Sequence, residues 1–197
     1  LKDLRAGREP LAEACKAANT AQHLSDVMAG TESGNRMNLE TFVQRNYMEK
    51  ILCDANRRFR DMSNGQFELK LIPVEDAGEG KNKGLDLEVL SIVTDKTRSV
   101  NTLSGGESFM AALSLALGMA DQIQAATAAI HLDVMFIDEG FGSLSDNARN
   151  EAVNILKEMA GKQRQIGIIS HVSELKDEIE NQLIVKKDDR GSHISWR

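Results

Sequence analysis

The rhythm of apolar and polar positions changes along the chain. From Leu39 onward, Phe42, Val43, Tyr47, Met48, Ile51, Leu52, Ala55, Phe59 and Met62 recur at three- and four-residue steps. That spacing predicts a helix with one buried face. Asn38 stands where an N-cap belongs, and Ser63-Asn64-Gly65 ends the element. Upstream, residues 1–28 also read as helix, rich in Ala and charge, with Leu4 and Leu11 one heptad apart. Pro10 either interrupts this helix or sits in the first turn of a new one. The weak apolar seam fits either a solvated helix packed on one side or the end of a coiled coil. Residues 29–38 read as a loop.

Beyond residue 65 the period falls to two. Residues 66–72 and 85–93 are predicted strands, joined by an acidic, glycine-rich loop. A helix follows Ser104, and then Val134–Asp138 forms an apolar run of strand length, the pattern of a strand covered on both faces. A helix is expected over 146–160, a strand over 165–170, and helix again in VSELKDEIE. Two last strands, 182–187 and 192–196, flank the turn DDRG. Strands alternating with helices after residue 100 predict an α/β layer with a parallel sheet.

Composition narrows the function classes. The 197 residues suffice for one domain with a real core. A net charge of −6 argues against nucleic-acid binding through the overall field, leaving only a local basic patch. Such a patch is offered by Arg57, Arg58 and Arg60, which either meet DNA or a protein partner or form solvated helix surface. Single Trp196 and Tyr47 leave few platforms for stacking bases. Cys15 and Cys53 are too few and too far apart for a metal knuckle or a disulfide framework, so reduced thiols in the cytoplasm are expected. No apolar run approaches membrane-spanning length. The chain starts without methionine in mid-helix pattern, which suggests a piece of something longer.

Three stretches carry chemistry. In Leu103-Ser104-Gly105-Gly106-Glu107-Ser108, Ser104 can cap the following helix and Glu107 can close a capping box. Glycines there let an anion approach N–H groups at the positive end of the helix dipole. Yet the chain has no G-x-x-x-x-G-K-[ST] loop: Gly80-Lys81 and Gly161-Lys162 lack the upstream glycine and the following hydroxyl. Second, Asp138 and Glu139 end an apolar strand, at the edge where open α/β sheets bind ligands. One can hold a hydrated Mg²⁺ while the other orients a water, a division suited to phosphoryl transfer. Third, His171 directly follows another apolar strand, where it can donate to a phosphate oxygen.

In order and spacing, LSGGES, VMFIDEGFGSLS and ISHV resemble the signature motif, Walker B segment, D-loop and switch histidine of ATP-binding-cassette ATPases. FIDEGFGSL and SHVSELK look like the SbcC type, rather than transporters or chromosome-condensing SMC proteins, and the stretch from Asn38 to Leu69 is similar to the SbcC segment where the coiled coil returns to the head. This resemblance implies an α/β fold, the C-terminal lobe of an ABC-type head with a mostly parallel sheet and flanking helices, plus a stub of coiled coil. Residues 1–37 would be the coiled-coil end and the loop leading into the head, and 38–197 the lobe. In such heads the phosphate loop lies on a separate N-terminal lobe, and two heads sandwich ATP. The resemblance therefore implies that Ser104, Gly105 and Gly106 contact the γ-phosphate held by another head, with Glu107 bracing the loop. Asp138 would serve the Mg²⁺ shell, Glu139 would polarise the attacking water, and His171 would sense the γ-phosphate.

The D-loop departs from the usual pattern: Ser145 stands where an aspartate is expected, and Asp146 follows. Implied cofactors are ATP and Mg²⁺. Implied partners are the N-terminal lobe, a second head, an SbcD-type nuclease and DNA, with no membrane. Other readings are a RecN- or SMC-like ATPase, or a scaffold with decayed ATPase motifs.

Overall fold

The computed structural model describes residues 8–31, 37–76, 84–126, 132–160, 165–189 and 191–197. Two compact units emerge, one of Leu1–Lys50 with Leu69–Glu88 and one of Ile51–Glu68 with Val89–Arg197.

In the first unit, helix α1 (Arg8–Ala29) carries Pro10 in its first described turn, the position where a missing N–H is tolerated. Leu4 lies outside the described residues. Gly30 ends α1 at φ 71°, its N–H reaching Val27 O at 3.1 Å. A side chain there would also strike the backbone of Met37 and Asn38. Helix α2 (Leu39–Met62) starts as expected, with Asn38 Oδ1 accepting the Thr41 N–H at 2.7 Å. Leu39, Phe42, Val43 and Tyr47 are nevertheless exposed, so the apolar stripe of α2 is not buried along its whole length. Arg45 Nη1 donates to Ile72 O at 3.0 Å and Gly84 O at 2.6 Å, satisfying two loop carbonyls at once.

The second unit holds most of the buried apolar residues. Leu52, Ala55, Phe59 and Met62 of α2 are buried there. Asn64 and Gly65 take left-handed φ values and the Gly65 N–H returns to Arg60 O at 2.7 Å, closing the helix. Strands β1 (Phe67–Leu71), β2 (Leu87–Ser91) and β3 (Lys96–Ser99) form a sheet in that order. Most of the loop before β2, including Gly80-Lys81, lies outside the described residues, as does Gly161-Lys162.

Helix α3 (Gly105–Ala126) sends Met110, Leu113, Leu117 and Ala120 into the core. Gly118 lets it approach α2 closely: a Cβ there would sit 2.7 Å from Ile51 O and 3.0 Å from Ala55 N. By length and composition alone α3 could cross a membrane, so the expectation that no stretch comes near that length fails. In this fold its apolar residues supply core instead.

Strand β4 (Val134–Asp138) pairs in parallel with β5 (Gln165–Ile169), from Val134↔Gln165 to Asp138↔Ile169. Between them runs α4 (Asp146–Ala160), with Ala152, Val153 and Leu156 buried. Ile137 is buried, whereas Val134 and Phe136 are 52% and 71% exposed, so β4 is covered on one face rather than both. Phe136 lies across Gly167 of β5, where a Cβ would come within 2.6 Å of the ring. The expected helix in VSELKDEIE shrinks to α5 (Leu175–Glu178), since Ile179 turns to extended backbone. The Gln182 side-chain amide bonds the Lys176 and Ile179 carbonyls at that end. Strands β6 (Leu183–Asp188) and β7 (Gly191–Trp196) pair antiparallel, while Arg190 of the expected turn lies outside the described residues.

Candidate functional site

The start of α3 is locked by the capping box that the sequence encodes. Ser104 Oγ accepts the Glu107 N–H at 3.3 Å, while Glu107 Oε2 accepts the Ser104 N–H at 2.7 Å. Arg98 of β3 adds a clasp that the sequence did not announce. Its Nη1 donates to Thr102 O at 2.7 Å, its Nη2 faces Glu107 at 3.4 Å, and its guanidinium lies 5.3 Å from the centre of the Phe67 ring. Partial burial pushes the Glu107 carboxyl up. The Ser104 N–H and side chain, together with Arg98, outweigh that and hold it below its ordinary value. Ser104 and Gly105 are exposed, leaving the first N–H groups of the helix open to an anion. Gly106 faces inward instead. A Cβ there would stand 2.7 Å from Ser143 O, so its glycine serves close packing onto the turn at Phe141–Ser143.

Parallel pairing of β4 with β5 delivers Asp138, Glu139 and His171 to one sheet edge. The Glu139 N–H bonds Ile169 O at 2.9 Å, extending the ladder past the strand end. His171 Nδ1 then lies 2.7 Å from Glu139 Oε2, a pairing that the separate tasks expected of the two residues did not foresee. With Nδ1 engaged, Nε2 is the ring nitrogen left to meet a ligand. Glu139 adopts φ 61° and Gly140 φ 98°, a left-handed pair that swings the chain off the sheet. Asp138, Glu139 and His171 are all exposed. Among the described residues no three His, Cys, Asp or Glu side chains gather as a metal cage. A single strand-end carboxylate fits Mg²⁺, which keeps several waters and shares phosphate oxygens.

The D-loop substitution has a structural answer. Ser145 Oγ accepts the Ala148 N–H at 3.4 Å and Ser145 O accepts the Arg149 N–H at 2.8 Å, so the serine takes the N-cap of α4. Asp146 begins the helix, with its side chain 89% exposed and 2.5 Å from Arg149 Nη2. A carboxylate therefore remains at this turn, displaced by one residue. In the basic cluster on α2, Arg57 and Arg60 are exposed and Arg58 is half-buried; Arg58 pairs with Asp121 and Arg60 with Glu68, each at 2.5 Å.

Among the described residues, Ser104–Glu107 and the Asp138–Glu139–His171 group share no hydrogen bond or ion pair. They are linked instead through packing: Gly106 on Ser143, and Phe109 on Gly140 and Phe141.

A family described as SbcC/RAD50-like, Walker B motif matches residues 85–158. The SbcC subunit of the nuclease SbcCD from Lactococcus lactis is 40% identical over 169 residues, 83% of this chain and 16% of that protein. Its counterpart from Vibrio cholerae is 45% identical over 172 residues, 87% of this chain and 17% of that protein. The chain thus spans about a sixth of the length of these relatives. A solved structure described under ATP-driven dimerization and DNA-stimulated activation of SMC ATPases superposes with a TM-score of 0.61. It is 18% identical and covers 80% of this chain and 89% of its own. At that identity the likeness is one of fold. Sequence and fold agree on one placement: the chain matches the C-terminal part of an SbcC-type ATPase head, including its Walker B segment.

Proposed function

We propose that this chain is the C-terminal ATPase-head segment of an SbcC-like exonuclease subunit, 1–37 being the coiled-coil end and 38–197 the lobe. Joined to an N-terminal lobe that carries the phosphate loop, it would bind and hydrolyse ATP. ATP binding and hydrolysis would drive head dimerisation and so control DNA-end processing by an SbcD-type nuclease in the cytoplasm. The observation that carries this reading is the convergence of Asp138, Glu139 and His171 at one edge through the β4–β5 register. The exposed Val134, Phe136 and Ile169 supply an apolar face for the missing lobe to cover.

Each residue has a task in this mechanism. Mg²⁺, when bound, neutralises charge developing on the phosphates. Asp138 would serve its coordination shell beside waters. Glu139 accepts a hydrogen bond from the attacking water and draws its proton toward the carboxylate. As an imidazolium, His171 would donate to that carboxylate through Nδ1 and to a phosphate oxygen through Nε2. Ser104 and the N–H groups beyond it dock on the γ-phosphate held by a second head, with Glu107 and Arg98 fixing the loop. Asp146, held by Arg149, stands in for the expected D-loop aspartate.

Glu139→Gln in the full-length protein tests the assignment. The substitution keeps shape but removes charge, so turnover should fall by about 10²–10⁴-fold while ATP binding persists. Turnover within a few-fold of the parent would remove Glu139 from its role.

A further inference from the structure

Glu139 and Gly140 form a left-handed pair, at φ 61° and 98°. A non-glycine residue keeps such a backbone only where its surroundings over-determine it. Two restraints come from β5 and its end: the Ile169 carbonyl on the Glu139 N–H and His171 on the carboxylate. The third comes from α3. The Phe109 ring lies against Gly140, so closely that a Cβ there would overlap its Cδ2 and Cε2. The same ring meets Phe141 edge-on, with centroids 5.0 Å apart and planes at 62°. Phe141 is fully buried, so the ring closes on a fixed floor. One helical turn earlier, Gly106 rests on the Ser143 carbonyl. The turn from Glu139 to Ser143 is therefore gripped by the helix that begins at Ser104.

We propose that Phe109 is a positioning residue for Glu139 of its own head, clamping Gly140–Phe141 so that the carboxylate is held at the sheet edge. This rests on the reading of Glu139 as the residue that orients the attacking water. The consequence goes beyond it. Ser104 and Phe109 share one helix but serve different composite sites, because Ser104 docks on the neighbouring head's nucleotide while Phe109 sets the acid for its own. Docking at one site thereby bears on the geometry of the other.

The test uses full-length protein and isolated heterodimers. Phe109→Leu keeps apolar bulk but loses the flat ring, and misplacing the acid by a fraction of an ångström should lower turnover by about ten- to a hundred-fold with ATP affinity little changed. Placed on the protomer that already carries Glu139→Gln, with a parental partner, Phe109→Leu should cost nothing beyond Glu139→Gln alone. Placed on the opposite protomer, it should remove most of the remaining turnover. The reverse order would mean that Phe109 acts through the Ser104 loop, and equal losses in both arrangements would mean a general structural role; either overturns the proposal. Hydrogen exchange of the peptide spanning 138–142 provides a readout independent of turnover. It should quicken in Phe109→Leu at unchanged melting temperature, and unchanged exchange would also overturn the clamp. If the Glu139→Gln homodimer itself turns over at the parental rate, the assignment of Glu139 fails first and the clamp with it.

Discussion

Replacing Glu107 by glutamine isolates the charge in the capping box. The amide keeps an oxygen that can accept the Ser104 N–H, now at 2.7 Å from the carboxylate. A hydrogen bond to a charged acceptor is worth about 1.5–3 kcal/mol and a neutral one about 0.5–1.5, so that change costs about 1 kcal/mol. Loss of the negative charge at the N-terminus of α3 adds about 0.3–1 kcal/mol. The Arg98 pair is long at 3.4 Å and partly exposed, so it adds only a few tenths. Glu107→Gln should therefore destabilise the fold by about 1–2 kcal/mol at pH 7. The pH dependence follows from the direction of the shift. The folded carboxyl titrates below its ordinary value, so its contribution is complete above that value and disappears as pH falls through the folded pKa. Urea unfolding followed by far-UV circular dichroism, stepped from neutral pH into the acid range, should show parent and variant converging. A gap that stays constant with pH, or no gap at pH 7, would refute the electrostatic account of this loop.

Two further expectations concern packing. Gly118→Val should destabilise by about 1–3 kcal/mol in the same assay, because the atoms a side chain would meet are Ile51 and Ala55 backbone, which cannot swing aside. Ser114 is fully buried, and its hydroxyl has no hydrogen-bond partner among the described residues, so Ser114→Ala should leave stability unchanged or raise it by up to about 1 kcal/mol. A clear loss would reveal a partner for that hydroxyl.

Features written in short-range chemistry were legible in the chain. The Ser104/Glu107 box, the Asn38 cap, the Ser63–Gly65 stop and the Val134–Asp138 strand each depend on residues a few positions apart. The features that escaped depend on distant partners. Strand β3, Lys-Thr-Arg-Ser, has no apolar alternation to announce it, and Arg98 gains meaning only when the fold brings Phe67 and Glu107 to it. The Glu139–His171 contact arises from strand register, which no local pattern states. Phe109 read as one more apolar residue of a helix, yet its ring is set against the left-handed Gly140. The exposed half of the α2 stripe and Phe136 of β4 show the converse limit: periodicity says which face is apolar, not what covers it.

The central claim is that Ser104 and Glu139 of one chain serve different nucleotides, and a complementation assay addresses it directly. On this proposal Ser104→Arg puts a bulky cation where a neighbouring head's phosphate would dock, and Glu139→Gln removes the residue assigned to orient water in the protein's own site. Full-length homodimers of either variant should be inactive. In an isolated heterodimer of the two, one composite site carries both lesions and the other carries neither, so ATP hydrolysis should return to a substantial fraction of the parental rate. A heterodimer of demonstrated composition that stays as inactive as its parents would contradict the account.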